Sequence, residues 1–232
     1  LPGTPHPPAT HQGKDRAVIT ELTQPLKDLD WNDTPRVEEA TTKILNAFAD
    51  DRGLLRRVVR AVPGDEHLCE LAEHYDILDK LVFHDDPAGW RLRLHIFLPG
   101  YFDRPHNHRW TYSSRILRGS YQHTLYGLDD DLDENTDVAD LQPYLVRTEK
   151  AGDGYTLHHR MIHAAVAEPH TVSLIVRGPA MKDRFLVADR NTGKAWWQYG
   201  AAKESKEQAA KKRMTAAQVD SALRGLADLQ LI

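Results

Sequence analysis

Along this chain the spacing of apolar residues changes once, near Leu81, from a period of about 3.6 to a period of 2. Before that point Val37, Ala40, Ile44, Leu45 and Phe48 recur at helical spacing. Thr34-Pro35 predicts the start of that helix, with a hydroxyl to cap it and proline in its first turn. Glu38 and Glu39 suit the positive end of its dipole. Gly53 separates a second predicted helix, Leu54 to Val62, which Pro63-Gly64 stops. A third is predicted from Asp65 to Tyr75, with Leu68, Leu71 and Ala72 on one side. The three are expected to form a packing layer over a sheet.

The period-2 region opens with Trp90, Leu92, Leu94, Ile96 and Leu98, which alternate with Arg91, Arg93, His95 and Phe97. One face of this strand is apolar, and the other carries two arginines and a histidine. That second face either meets solvent or lines a cavity. In the second case Arg93 and His95 are candidates to hold an anionic substrate. Further strands are predicted at 110–117, 121–126, 144–148, 155–157, 161–166, 171–176 and 184–187, separated by Gly, Pro and Asp. Many short strands at this spacing predict a β-sandwich or barrel. The stretch from Leu128 to Asp140 carries seven acidic residues and interrupts the series. It lacks the glycine and final glutamate of a calcium-binding EF-hand loop, so a solvated acidic loop is expected. At the end of the chain Val219, Ala222, Leu223 and Leu226 form a helical stripe that Thr215 is placed to cap, packing on the barrel or on a second subunit.

The expected fold is therefore mainly β with helical additions. Residues 1–15, with four prolines, are expected to form a flexible arm, 16–80 a helical layer, 81–200 the barrel and 201–232 a helical tail. The sequence is 41% hydrophobic and 28% charged, with a net charge of -4. Mixed charge without a basic excess argues against nucleic acid as a partner, and no stretch approaches the ~18 apolar residues of a membrane span. No secretory start is visible, and the chain opens at Leu1 without a methionine. Cys69 is the single cysteine, which excludes an internal disulfide and fits a reducing cytosol, so a cytoplasmic protein is expected.

The candidate chemistry lies in thirteen histidines, several of them near predicted strands. His106 and His108 stand one residue apart, so on a strand they point the same way and can share a metal ion. His163, at the end of Tyr155-Thr-Leu-His-His-Arg-Met-Ile-His, can close the site. Imidazole suits iron, zinc, nickel, copper and manganese, and three neutral histidines leave positions open for substrate or oxygen. Trp110, Tyr112 and Ser114 continue the histidine face. Tyr112 can donate to a metal-bound group or act as an acid. His123, on the next strand, is a candidate proton donor, a partner of a ligand or a fourth ligand.

Gly100-x5-His106-x-His108-x3-Tyr112-x6-Gly119 resembles the first cupin motif, and Gly152 or Asp153 through His163 takes the place of the second. The resemblance covers about residues 88–190 and implies a double-stranded β-helix barrel with a metal in its mouth, held by His106, His108 and His163. Tyr112 stands where the first motif has glutamate. His158 and Arg160 replace the Pro-x-Gly of the second, and Ala167 replaces its asparagine. The missing glutamate makes the set resemble the three-histidine iron cupins, which include thiol, diketone and gentisate dioxygenases. The layout is most similar to the cysteine dioxygenase-like enzymes. Lys80 falls near their carboxylate-binding residue, with Arg91 and Arg93 as rivals, but Ser113 stands near their crosslinking cysteine and the Ser-His-Tyr trio after the third histidine is missing. The resemblance therefore implies a mononuclear non-haem Fe(II) oxygenase acting with O2 on a small, anionic organic molecule. Arg93, Lys80, His95 and Trp110 would hold the substrate, and Tyr112 or His123 would manage a proton. A Zn- or Mn-dependent isomerase, lyase or hydrolase and a binding barrel without catalysis stay open, with nickel as a further metal. His108 occupies the acidic position of a 2-oxoglutarate enzyme's His-x-Asp/Glu pair, which counts against that cosubstrate. By analogy with other cupins a homodimer is expected.

Overall fold

The computed structural model describes residues 10–100, 103–129, 132–200 and 203–232. The helices come first. Helix α1 spans Thr10–Leu22, so part of the stretch expected to be a flexible arm is helical, and Asp15 pairs with Arg57 at 2.9 Å. Residues 1–9, with His6, lie outside the described residues. Helices α2 (Thr34–Asp50), α3 (Arg52–Arg60) and α4 (Glu66–Glu70) follow. Each is capped by an aspartate, Asp33, Asp51 and Asp65, whose carboxylate accepts an amide of the first turn. The cap of α2 is thus Asp33 and not Thr34. The third helix is shorter than predicted: it ends at Glu70, and the chain then turns into strand β1 (Glu73–Tyr75).

Strands β2 (Leu78–Asp85), β3 (Arg91–Phe97), β4 (Tyr112–Arg118), β5 (Ser120–Leu128), β6 (Leu145–Lys150), β7 (Gly154–Leu157), β8 (Met161–Ala167), β9 (Val172–Arg177), β10 (Arg184–Asp189) and β11 (Lys194–Tyr199) complete the sheets. Helices α5 (Lys206–Lys212) and α6 (Ala216–Asp228) end the fold, and Thr215 caps α6 with Gln218 in a capping box. The large sheet has the order β1-β2-β3-β9-β4-β7, and the small one β6-β5-β8. His106 bridges both His163 on β8 and Val187 on β10, which extends the small sheet to the β10-β11 hairpin. From β3 the chain passes to the His106 segment, then to β4, β5, β6, β7, β8 and β9, moving between two antiparallel sheets. This is the jelly-roll path of a cupin-type barrel. Gly119 makes the crossing from β4 to β5 at φ +78, where a Cβ would collide with the Thr171 side chain.

The period-2 pattern of β3 sorts its residues between two environments. Leu92 and Leu94, with Leu81, Phe83, Leu174 and Val176, face outward and form one core with Val37, Ile44 and Phe48 of α2, Leu55 and Val59 of α3, and Leu226 of α6. Each Å2 of apolar surface buried in this contact contributes ~25 cal/mol to stability. The other face of the large sheet looks into the barrel and is mixed: Arg93, His95, Ser114 and Ser173 share it with Val82, Leu157 and Ile175.

Candidate metal centre

The His106 stretch is not a continuous strand. His106 makes one bridge, and the His108 amide reaches the His159 carbonyl at 3.4 Å. The two rings still share a side because Asn107 is drawn the other way. Its side chain is fully buried, accepts from the Leu186 amide at 2.8 Å and donates to Asp129 at 2.5 Å. Asp129 also takes Lys182 at 2.6 Å and Arg160 at 3.3 Å. The first acidic residue of the expected solvated loop is thus a buried-side anchor for the His-x-His segment, because three donors converge on it.

The structure brings His106, His108 and His163 together, with one ring nitrogen of each within 4.8 Å of the others. The Nε2 atoms of His108 and His163 are 2.9 Å apart. Two nitrogens bound ~2.1 Å from one ion at right angles stand ~3 Å apart, so this spacing fits a shared metal. His106 donates Nδ1–H to the Arg104 carbonyl at 2.8 Å, which leaves its Nε2 lone pair for an ion. Burial lowers the His106 imidazole to about 4, against the opposing pull of that carbonyl. Burial, then the neighbouring histidines, holds His108 and His163 well below the ordinary imidazole range. All three are neutral at physiological pH, which is the ligating state. No aspartate or glutamate belongs to the cluster among the described residues.

Around the triad the inner wall carries the other expected site residues. Arg93 is 6% exposed, and its Nε has no partner. His95 Nε2, Trp110 Nε1 and Ser173 Oγ are likewise buried without partners, and Ser114 lies beside the Tyr121 and Tyr155 hydroxyls. His95 stands opposite Ser173 in the sheet register, and Arg93 and Ser114 both stand opposite Ile175. They therefore share one face. Buried polar groups left unsatisfied cost about 1–3 kcal/mol each, so this wall presents donors and acceptors that water or a polar ligand would meet. Burial, then Arg93 and Lys80, pushes the His95 pKa well down. Trp110 lies under the guanidinium groups of Arg177 and Arg93, at 4.6 and 5.6 Å.

Lys80 is differently placed from its rivals. Its Nζ stands 3.7 Å from Glu73 and 4.3 Å over the Tyr75 ring. Burial lowers it to about 8, while Glu73 raises it. Burial acts to raise Glu73, but Lys80 and Lys212 outweigh it and hold the carboxyl at about 2. Of the other rival, Arg91, the structure makes a partner of Asp85 at 2.5 Å. Ser113 faces the helices, bonded to Thr41 at 2.6 Å and Thr156 at 2.7 Å, so it takes no part in the interior.

Tyr112 is buried with its hydroxyl 3.3 Å from His163 Nε2 and 3.5 Å from the Tyr155 hydroxyl, which in turn accepts from Tyr121 at 2.7 Å. Burial raises the Tyr112 pKa, so the hydroxyl keeps its proton. His123 is fully buried, 3.0 Å from His163 Nδ1 and 3.2 Å from Glu149 Oε1. It stands behind His163 and outside the cluster that could hold an ion. Glu149, Tyr155, Tyr121 and Glu73 were not singled out by sequence reasoning. The signal for Tyr121 and Tyr155 was their place in the alternation of the predicted strands; Glu149 gave none, because it lies past the strand predicted at 144–148. Glu73 gave none, because its segment read as helix.

No family model matches this sequence, and no curated protein does. Solved structures give distant likenesses. KdgF from Halomonas sp. is 16% identical, with a TM-score of 0.34 over 45% of this chain and 82% of that one. An RmlC-like cupin from Shewanella frigidimarina NCIMB 400 is 15% identical, at 0.35 over 48% and 85%. Ectoine synthase from P. lautus is 10% identical, at 0.36 over 47% and 70%. Likenesses this distant carry nothing about activity, and the assignment of the fold rests on the strand order and the two-sheet path. On that ground the chain folds as a cupin-type β-barrel with helical additions.

Proposed function

We propose that the protein is an enzyme, a mononuclear non-haem iron(II) oxygenase acting on a small anionic organic molecule with O2. The observation that carries this reading is the pairing of a three-histidine set, free of carboxylate, with unpartnered buried donors on the adjoining wall. His106, His108 and His163 would hold the ion through their Nε2 atoms. When bound, iron supplies open positions for substrate and O2 and the redox chemistry between them.

The chain's own residues do the rest. Arg93 and His95 bind the anionic end of the substrate, and Ser114 and Ser173 orient it. Lys80, already paired with Glu73, adds positive potential rather than a direct contact. Trp110 packs over the same end and excludes water. Tyr112 holds a proton beside His163 and donates a hydrogen bond to whatever occupies the open positions. Leu125 and Met161 pack near Tyr112 and also line a surface groove of about 750 Å3, which suits the substrate's apolar part.

A second reading has one observation in its favour. The Tyr112, Tyr155 and Tyr121 hydroxyls form a chain at 3.5 and 2.7 Å, along which a proton would be relayed without any redox step, as an isomerase or lyase with zinc or manganese would need. Oxygen uptake by anaerobically iron-loaded protein, mixed with carboxylated thiols, amino acids and diketones, separates the two. We expect uptake with at least one acid and its loss in Arg93→Met. Turnover of such an acid by zinc-loaded protein without oxygen uptake would overturn the oxygenase reading.

A further inference from the structure

Strand β6 is inverted with respect to ordinary burial. Its apolar Leu145 and Val146 are exposed, and its only buried residue is Glu149, 4% exposed. Burying a carboxylate is costly unless it is paired and hydrogen-bonded, and here the partners are specific. Arg147 Nε meets Glu149 Oε1 at 2.5 Å, and His123 Nδ1 meets the same oxygen at 3.2 Å. Behind His123 stands His163, Nδ1 to Nε2 at 3.0 Å. The row from Arg147 to His163 runs from the surface to the metal centre.

We infer that Glu149 is a positioning residue that, through His123, selects the nitrogen with which His163 binds its metal. A carboxylate only accepts, so the His123 nitrogen facing it, Nδ1, carries the proton. The other nitrogen of a neutral His123, Nε2, is then an acceptor. The His163 nitrogen facing that acceptor, Nδ1, must in turn be the donor. The lone pair of His163 is thereby left on Nε2, the atom 2.9 Å from His108 Nε2. Two successive hydrogen bonds thus transmit one requirement, and the fixed ring cannot rotate or change tautomer without leaving a buried donor or acceptor unpaired. His123 is accordingly an intermediary and not the proton donor of the reaction. The inference rests on the proposed metal role of the triad, but its first test does not.

Two-bond proton–nitrogen spectra of the metal-free protein distinguish imidazole tautomers, with His163 assigned by its loss in His163→Ala. We expect His163 in the Nδ1–H form in the wild type and a mixture of forms in Glu149→Ala. Zinc affinity, measured by chelator competition, should fall about 10- to 100-fold in Glu149→Ala. Glu149→Gln, which keeps an accepting oxygen, should retain the tautomer and most of the affinity. An Nε2–H form of His163 in the wild type would overturn the inference. So would unchanged zinc affinity in Glu149→Ala, or a loss in Glu149→Gln as large as in Glu149→Ala. Should Glu149→Ala fail to fold, the wild-type tautomer and the glutamine variant still decide. A wild type that binds no zinc would defeat the metal reading while leaving the tautomer result to judge Glu149.

Discussion

The two faces of the large sheet divide the work of the molecule. The outer face, Leu81, Phe83, Leu92, Leu94, Leu174 and Val176, is buried against helices. The inner face, a few ångströms away on the same strands, carries Lys80, Arg93, His95, Tyr112, Ser114 and Ser173, with several polar atoms unpartnered. Alternation along a strand lets one segment supply both. The outer face gains stability from burial, and the inner face gives some up to leave donors free. Natural binding sites show this trade, and it makes the two faces respond in opposite ways to substitution.

The largest effect should come from the metal centre that the inner face looks onto, where His163 stands on β8 of the small sheet. His163→Ala should remove both bound metal and turnover while leaving the circular dichroism spectrum intact; full activity in that variant would break the comparison. Next comes the outer face. Leu94→Ala, at a fully buried position, should lower stability by about 2–5 kcal/mol in urea melts, with metal content per folded molecule unchanged. Arg93→Met should do the reverse. Removing a buried, partly unsatisfied cation should leave the metal-free protein as stable as before, or up to about 2 kcal/mol more so, while substrate KM rises ~10- to 100-fold. A marked loss of stability in Arg93→Met would show that the inner face is structural.

A smaller, graded effect concerns acid. Burial holds His106 and His159 at about 4, below the ordinary imidazole value. Unfolding restores that value of ~6.5, so protons favour the unfolded chain. The stability of the metal-free protein should be fully present above pH ~6.5 and fall progressively toward pH 4. Glu73, held at about 2, adds its own loss as the pH falls from the ordinary carboxylate value of ~4.3 toward 2. Melts at intervals between pH 7 and pH 4 check this, and a flat profile would contradict it. Ser113→Ala, on the outer side, should cost ~1 kcal/mol through Thr41 and leave metal binding alone.

Much of this division was legible in the sequence, because alternation and helical spacing are local. The apolar stripe of α2 and the two-faced character of β3 follow from residue spacing, while the meeting of His106, His108 and His163 was legible through the resemblance of their two segments to the cupin motifs. Other features needed the third dimension. The start of the sheet at Glu73 was hidden because Leu68, Leu71 and Ala72 fit a helix as well as a helix end followed by a strand. The share of Asp129 in holding the histidine segment depends on Asn107, Arg160 and Lys182, which only folding brings together. Glu149 lies just past the strand predicted at 144–148, and its burial depends on His123 and Arg147 from either side. Among the described residues no helix is long and apolar enough to cross a membrane.

The central claim is that the barrel interior, the histidine triad together with the inner face of the large sheet, exists to hold a metal and its substrate. Its most direct test is elemental analysis of protein purified without added metal and without a histidine tag, wild type beside His163→Ala, followed by oxygen uptake after iron loading. The account predicts near-stoichiometric iron in the wild type, its loss in the variant, and uptake only with the former. A wild type without metal from either preparation, or one that holds iron equally well without His163, would contradict it.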